Sequence, residues 1–169
     1  MDIKKLINTS LNGDEMLFYN PDSVLCKYTD LYIYNNIDDV FGHLDKIILL
    51  YLTKSETSGH WTCLYRQNNK INFFDSYGLN IDDELNYISP YKKNELHEKY
   101  RYLKHLLDKS NYEIEHNIYK LQGEHSQCCG RYVSLRLINN FMDNDEFYNI
   151  YFHNKNKSND NIICELINI

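Results

Sequence analysis

The stretch that most constrains the fold is a pair of short apolar, aromatic runs. They are Trp61-Thr62-Cys63-Leu64-Tyr65-Arg66 and Lys70-Ile71-Asn72-Phe73-Phe74-Asp75, separated only by Gln67-Asn68-Asn69. Two runs of this kind around a short polar turn read as a β-hairpin of an antiparallel or mixed sheet. Just upstream, Lys46 to Thr53 (KIILLYLT) is apolar without alternation, which suits a strand covered on both faces. In the hairpin, His60 enters the first strand and Asp75 leaves the second. Antiparallel strands joined by a tight turn bring those ends together.

Helical patterns surround this sheet. Residues 1–10 suit a short helix, and 11–36 read as irregular, with Asn12-Gly13 and Asn20-Pro21 as turn signals. Asn36 is placed to cap a helix over 37–44, with Asp38 and Asp39 in its first turn. Residues 81–109 carry Leu96, Tyr100, Leu103, Leu106 and Leu107 at helical spacing, for one or two surface helices. Tyr112 to Leu121 suggests another strand. From Cys129 the apolar positions 132, 133, 135, 137, 138, 141 and 142 form a stripe wide enough for a largely buried helix. Residues 145–152 suit a helix, and Ser158 can cap a last one over 159–168.

Composition bounds the function. The 169 residues suit one domain with a real core. A net charge of −6 argues against a protein whose main task is gripping nucleic acid. The 5 cysteines, at 26, 63, 128, 129 and 164, are odd in number and lack CxxC spacing, so neither a disulfide framework nor a zinc site is indicated. No segment reads as a signal peptide, and the longest apolar run, Ile47 to Leu52, is far too short to span a bilayer. The chain has no Ala, 22 Asn and only 4 Arg. That bias follows A+T-rich codons and points to an A+T-rich source, such as large DNA viruses and their satellites, intracellular bacteria or some protists.

Four polar side chains supply candidate chemistry. A thiol nucleophile needs a base, an orienter for that base and a donor for the oxyanion. Cys129 sits where the buried helix should begin, and a helix N-terminus favours the thiolate. His60 is the candidate base, Asp75 its orienter and Gln122 the oxyanion donor. Each has an ordinary explanation alone: a small core cysteine, a solvated histidine, a turn-capping carboxylate, a surface amide. His125 is a competing base in a loop with no adjacent orienter.

Together, His60-Trp61, Asp75, Gln122 and Cys129-Gly130, in this order, resemble the adenain/Ulp1-like superfamily of cysteine proteases. The resemblance covers residues 45–142. The seven-residue step from Gln122 to Cys129 is similar to the adenovirus-type maturation protease and selects Cys129 over Cys128 as nucleophile. The His-to-Asp interval of 15 is short for the family, and Gly123-Glu124-His125 stands where Asn or Asp is frequent.

The resemblance implies an α+β, papain-like fold, with a central mixed sheet packed on the helix that opens at the nucleophile. It implies a single protease domain over 1–169, with 45–142 as catalytic core and 1–44 as an extension of undefined role. Trp61 would wall a narrow groove for small residues, and Gly130 would let substrate backbone approach. The expected activity is a viral cysteine endopeptidase that processes capsid or scaffold precursors, with a protease for ubiquitin-like conjugates as the alternative. A catalytically silent binding module on the same fold is a further alternative. No cofactor or metal is expected. A monomer acting on protein substrates is expected in the virion and host cytoplasm, with no membrane partner and with a peptide activator left open.

Overall fold

The computed structural model describes residues 2–169. Five strands form one mixed sheet in the order β1-β2-β3-β4-β5: β1 (Ser23–Lys27), β2 (Lys46–Ser55), β3 (Ser58–Gln67), β4 (Lys70–Phe74) and β5 (Glu113–His116). The expected hairpin is β3–β4, and β2 pairs with β3 as a second hairpin; both pairings are antiparallel. The two edge strands run parallel to their neighbours, β1 to β2 and β5 to β4.

β2 explains its own sequence. Ile48, Leu50 and Leu52 face one core layer, and Ile47, Leu49 and Tyr51 face the other. Alternation along a strand sends successive side chains to opposite faces, so a strand covered on both sides has no polar positions to spare. The first layer is filled by α6 (Cys129–Ile138) together with Trp61, Cys63, Tyr65 and Phe74. The second holds Val40 and Phe41 of α3 (Ile37–Phe41) and Leu103, Leu106 and Leu107 of α5 (Tyr102–Asp108).

The region 11–36 departs from the irregular reading. It contains α2 (Gly13–Tyr19), β1 and a 3-10 helix (Tyr28–Ile33). The Asn12-Gly13 turn signal is the helix start: the Asn12 side chain accepts from the Glu15 N–H and the Glu15 carboxylate accepts from the Asn12 N–H, a capping box. β1 is short and lies at the sheet edge, so its pattern is too brief to read alone.

Elsewhere the elements fall near their expected places. α1 spans Ile3–Ile7. Asn36 caps α3, which Gly42 ends at φ +59°. Segment 81–109 holds a 3-10 helix (Asp83–Tyr87), α4 (Pro90–Glu95) and α5. β5 covers only part of the expected strand. α7 (Asn144–Tyr151) and α8 (Asn159–Leu166, capped by Ser158) follow.

The apolar stripe of α6 hides two arginines. Arg131 and Arg136 are fully buried. The Arg131 guanidinium donates to the carbonyls of Thr9, Ile167 (3.0 Å) and Ile169 (3.3 Å), tying both terminal segments to α6. Arg136 donates to Tyr65 Oη and the Asn139 and Met142 carbonyls, and lies over the rings of Tyr65 and Phe147.

Candidate active site

Strand register brings His60 and Asp75 together. Cys63 pairs with Phe74, so the next pair outward would set Thr62 opposite Asp75, and His60 shares the face of Thr62. His60 Nε2–H donates to Asp75 Oδ1 at 3.1 Å, and both side chains are buried. This leaves Nδ1 for another partner, and the Cys129 sulfur favours the charged form of the ring.

Burial opposes the His60 imidazolium. The Asp75 carboxylate and the Cys129 sulfur outweigh it and hold the His60 pKa well above the ordinary 6.5.

Asp75 is fixed from several sides. Its Oδ1 also accepts the Tyr77 N–H at 2.7 Å. Its backbone is clamped by Asn117, whose Oδ1 accepts the Asp75 N–H (2.9 Å) and whose Nδ2 donates to the Asp75 carbonyl (2.7 Å). The turn closes through Gly78 N–H to the Asp75 carbonyl at 2.9 Å. Gly78 has φ +72°, and a Cβ there would meet the Ile118 and Tyr119 carbonyls at 2.9 Å. The Tyr77 ring stacks on the His60 imidazole with centroids 5.0 Å apart.

Cys129 is the first residue of α6. Among the described residues, the N–H groups of Cys129 and Gly130 find no acceptor, as expected for the opening turn of a helix. Cys128 precedes the helix and points the other way. Its thiol lies 3.6 Å from Cys164 Sγ and 3.7 Å from the Ile7 carbonyl, and the contact with Cys164 and burial push its pKa far up. Geometry therefore separates the adjacent thiols: Cys128 is engaged by Cys164 and Ile7, and Cys129 opens the helix.

Gln122 is buried beside this pair of elements. The Leu121 and Gln122 N–H groups both donate to the Ser76 carbonyl, at 2.8 and 3.0 Å. The Gln122 Oε1 accepts from Ser76 Oγ at 2.7 Å, and its Nε2 donates to the Ser126 carbonyl at 3.0 Å. One amide proton remains free for another acceptor.

Trp61 lines a cleft of about 440 Å³ with Leu11, Asn12 and Gly59. Its indole N–H donates to the Leu11 carbonyl at 3.1 Å. Gly130 is buried, not open. A Cβ there would meet Leu11 Cβ at 3.1 Å and Met16 Sδ at 3.2 Å. Its missing side chain makes room for the N-terminal segment, which packs against α6 as a wall of the cleft.

His125 is exposed. The residues that sequence reasoning missed are Ser76, Tyr77, Asn117 and Glu84. Ser76 and Tyr77 stand inside the motif around Asp75, so their position was a usable signal. Asn117 is one of 22 asparagines and Glu84 one of many surface-type acids; neither carries a local signature. His60, Asp75 and Glu84 each present an atom able to ligate a metal, all within 4.8 Å of one another.

No family model matches the sequence. The uncharacterized protein V9 of Sputnik virophage is 38% identical over 136 residues, covering 79% of this chain and 76% of V9. The chain belongs to the family of this virophage protein. Among solved structures, the chain is similar to the SUMO protease Ulp1 with its catalytic cysteine oxidised to a sulfinic acid. That match has 17% identity and a TM-score of 0.44, over 98% of this chain and 81% of Ulp1. It is also similar to the ASFV pS273R protease, with 11% identity and a TM-score of 0.45, over 92% of this chain and 66% of that protein.

Proposed function

We propose that this chain is a viral cysteine endopeptidase with Cys129 as nucleophile, His60 as base, Asp75 as its orienter and Gln122 as oxyanion donor. The observation that carries the reading is the buried His60 ring, held by Asp75 through Nε2, with the Cys129 sulfur at the opening of α6 favouring its charged form. In this reaction the Cys129 thiolate attacks a peptide carbonyl carbon, forming the S–C bond. The oxyanion is held by the free Gln122 amide proton and the Cys129 N–H. His60 passes its proton to the leaving amine as the C–N bond breaks. Water then attacks the thioester, giving a carboxylic acid and restoring the thiol.

The substrates are capsid or scaffold precursors cut beside small residues, met in the virion or in the host cytoplasm where it assembles. The virophage relative supports a viral setting. Trp61 and the N-terminal segment enclose the cleft that would hold the small residues. The test is incubation of the purified chain with the structural proteins encoded beside its gene and, separately, with SUMO fusions. Cleavage of the structural proteins that is lost in Cys129→Ala and kept in Cys128→Ala is the expected result. Loss in Cys128→Ala alone overturns the nucleophile. Efficient processing of SUMO fusions with no cut in the structural proteins overturns the substrate.

A further inference from the structure

A second cleft of about 440 Å³ is lined by Tyr77, Leu79, Glu84, Tyr87, Lys120 and Glu124. Tyr77 joins it to the proposed site, because its ring stacks on His60. Tyr87 stands in the same wall, 76% exposed. The two carboxylates of the cleft differ. Glu124 is solvated and paired with Lys120 at 3.0 Å, so these charges cancel. Glu84 is half-buried and makes no side-chain hydrogen bond among the described residues; the one cationic group beside it is the His60 imidazole, which it shares with Asp75.

Charge at this point is unbalanced. Two carboxyl groups, Asp75 and Glu84, share the single His60 imidazole. A half-buried carboxylate at the wall of a cleft attracts a cation more strongly than one in open water. Aromatic faces beside such a carboxylate suit a cation on an aliphatic stem, since the rings cover the methylenes and attract the charge. The net charge of −6 favours basic partners in the same sense.

We propose that this cleft is a subsite for a cationic side chain, lysine or arginine, close to the cleaved bond, with Glu84 as the specificity-determining residue between Tyr77 and Tyr87. This deepens the endopeptidase reading and rests on it for the word substrate, but the binding itself does not need catalysis.

The experiment measures binding and cleavage separately. Fluorescein-labelled decapeptides built around Gly-Gly, with Lys, norleucine or Glu at each flanking position, are titrated against the Cys129→Ala chain by anisotropy. Lys peptides are expected to bind about tenfold tighter than norleucine peptides, and Glu peptides weakest. In the Cys129→Ala background, Glu84→Gln should collapse the Lys advantage to within about twofold, while Glu124→Gln should preserve it. Glu84→Lys should reverse the order toward Glu peptides. Equal affinity for the three peptide sets, or a Lys advantage that survives Glu84→Gln, overturns the inference. The parent chain is assayed for cleavage of the same peptides. Lys-selective binding without cleavage sinks the protease reading and leaves the subsite standing; cleavage indifferent to charge does the reverse.

Discussion

Ser76→Ala tests how Gln122, the proposed oxyanion donor, is held. The substitution removes one hydroxyl. The Ser76 carbonyl, which accepts the Leu121 and Gln122 N–H groups, is untouched, so the loop stays docked. What is lost is the 2.7 Å bond to Gln122 Oε1, between residues 0% and 3% exposed. A buried acceptor left without its donor costs about 1–3 kcal/mol. Rotating the amide is no remedy, because Oε1 would then face the Ser126 carbonyl that now accepts from Nε2. The amide therefore loosens rather than flips. If that energy is felt in aiming the free amide proton, kcat should fall by about five- to 150-fold. Gln122→Ala, which deletes the donor, should cost about a hundred- to thousandfold. The assay is single-turnover cleavage of a peptide the parent chain cuts, with urea unfolding in parallel. Ser76→Ala should add little in the Gln122→Ala background, since residues acting as a unit are not additive. A drop in urea stability of the stated size with kcat unchanged would refute the reasoning, because the hydroxyl would then serve only the fold.

Asp75→Asn should change a pH profile. The His60 pKa is raised, so the stability it contributes is full below the unfolded value near 6.5 and disappears as pH rises through the folded pKa. Without the Asp75 charge, burial dominates and the folded pKa falls; the alkaline limb of kcat/KM and the pH-dependent part of Tm should both move to lower pH, read by pH titration of each variant. Gly59→Ala should prevent folding, since a Cβ at Gly59 would lie 1.7 Å from the Tyr51 carbonyl oxygen on β2; circular dichroism lacking a cooperative melt is the expected result. Arg131→Leu should destabilise the chain by about 3 kcal/mol or more, because the Thr9 and Ile167 carbonyls lose a buried charged donor. Amide exchange in residues 3–10 should rise together with it.

The hairpin, the capped helix starts at Asn36 and Ser158, and the buried helix from Cys129 were legible because each is local. Period-two runs around Asn68-Asn69 specify a turn and its register, and register alone carries His60 to Asp75. α2 and β1 were not legible, since β1 acquires meaning only as the edge partner of β2. Arg131 and Arg136 broke the stripe in sequence yet lie inside the core: carbonyls 36 and 38 residues away receive the Arg131 charge, and the Asn139 and Met142 carbonyls just past the helix receive that of Arg136.

The sequence by itself set out four candidate side chains and the hairpin that joins two of them, while the ranking of Cys129 above Cys128 by the seven-residue step came from a family resemblance. Spacing within one hairpin or one helix start is set by local geometry, so it survives in the bare string of residues. Only the tertiary structure decided what holds those groups. Ser76 grips Gln122 across 46 residues and Asn117 clamps Asp75 across 42. It also placed Glu84 beside His60 and turned the Cys128 thiol toward Cys164. Those contacts join segments far apart in the chain, and no local pattern encodes which distant amide or carboxylate will arrive.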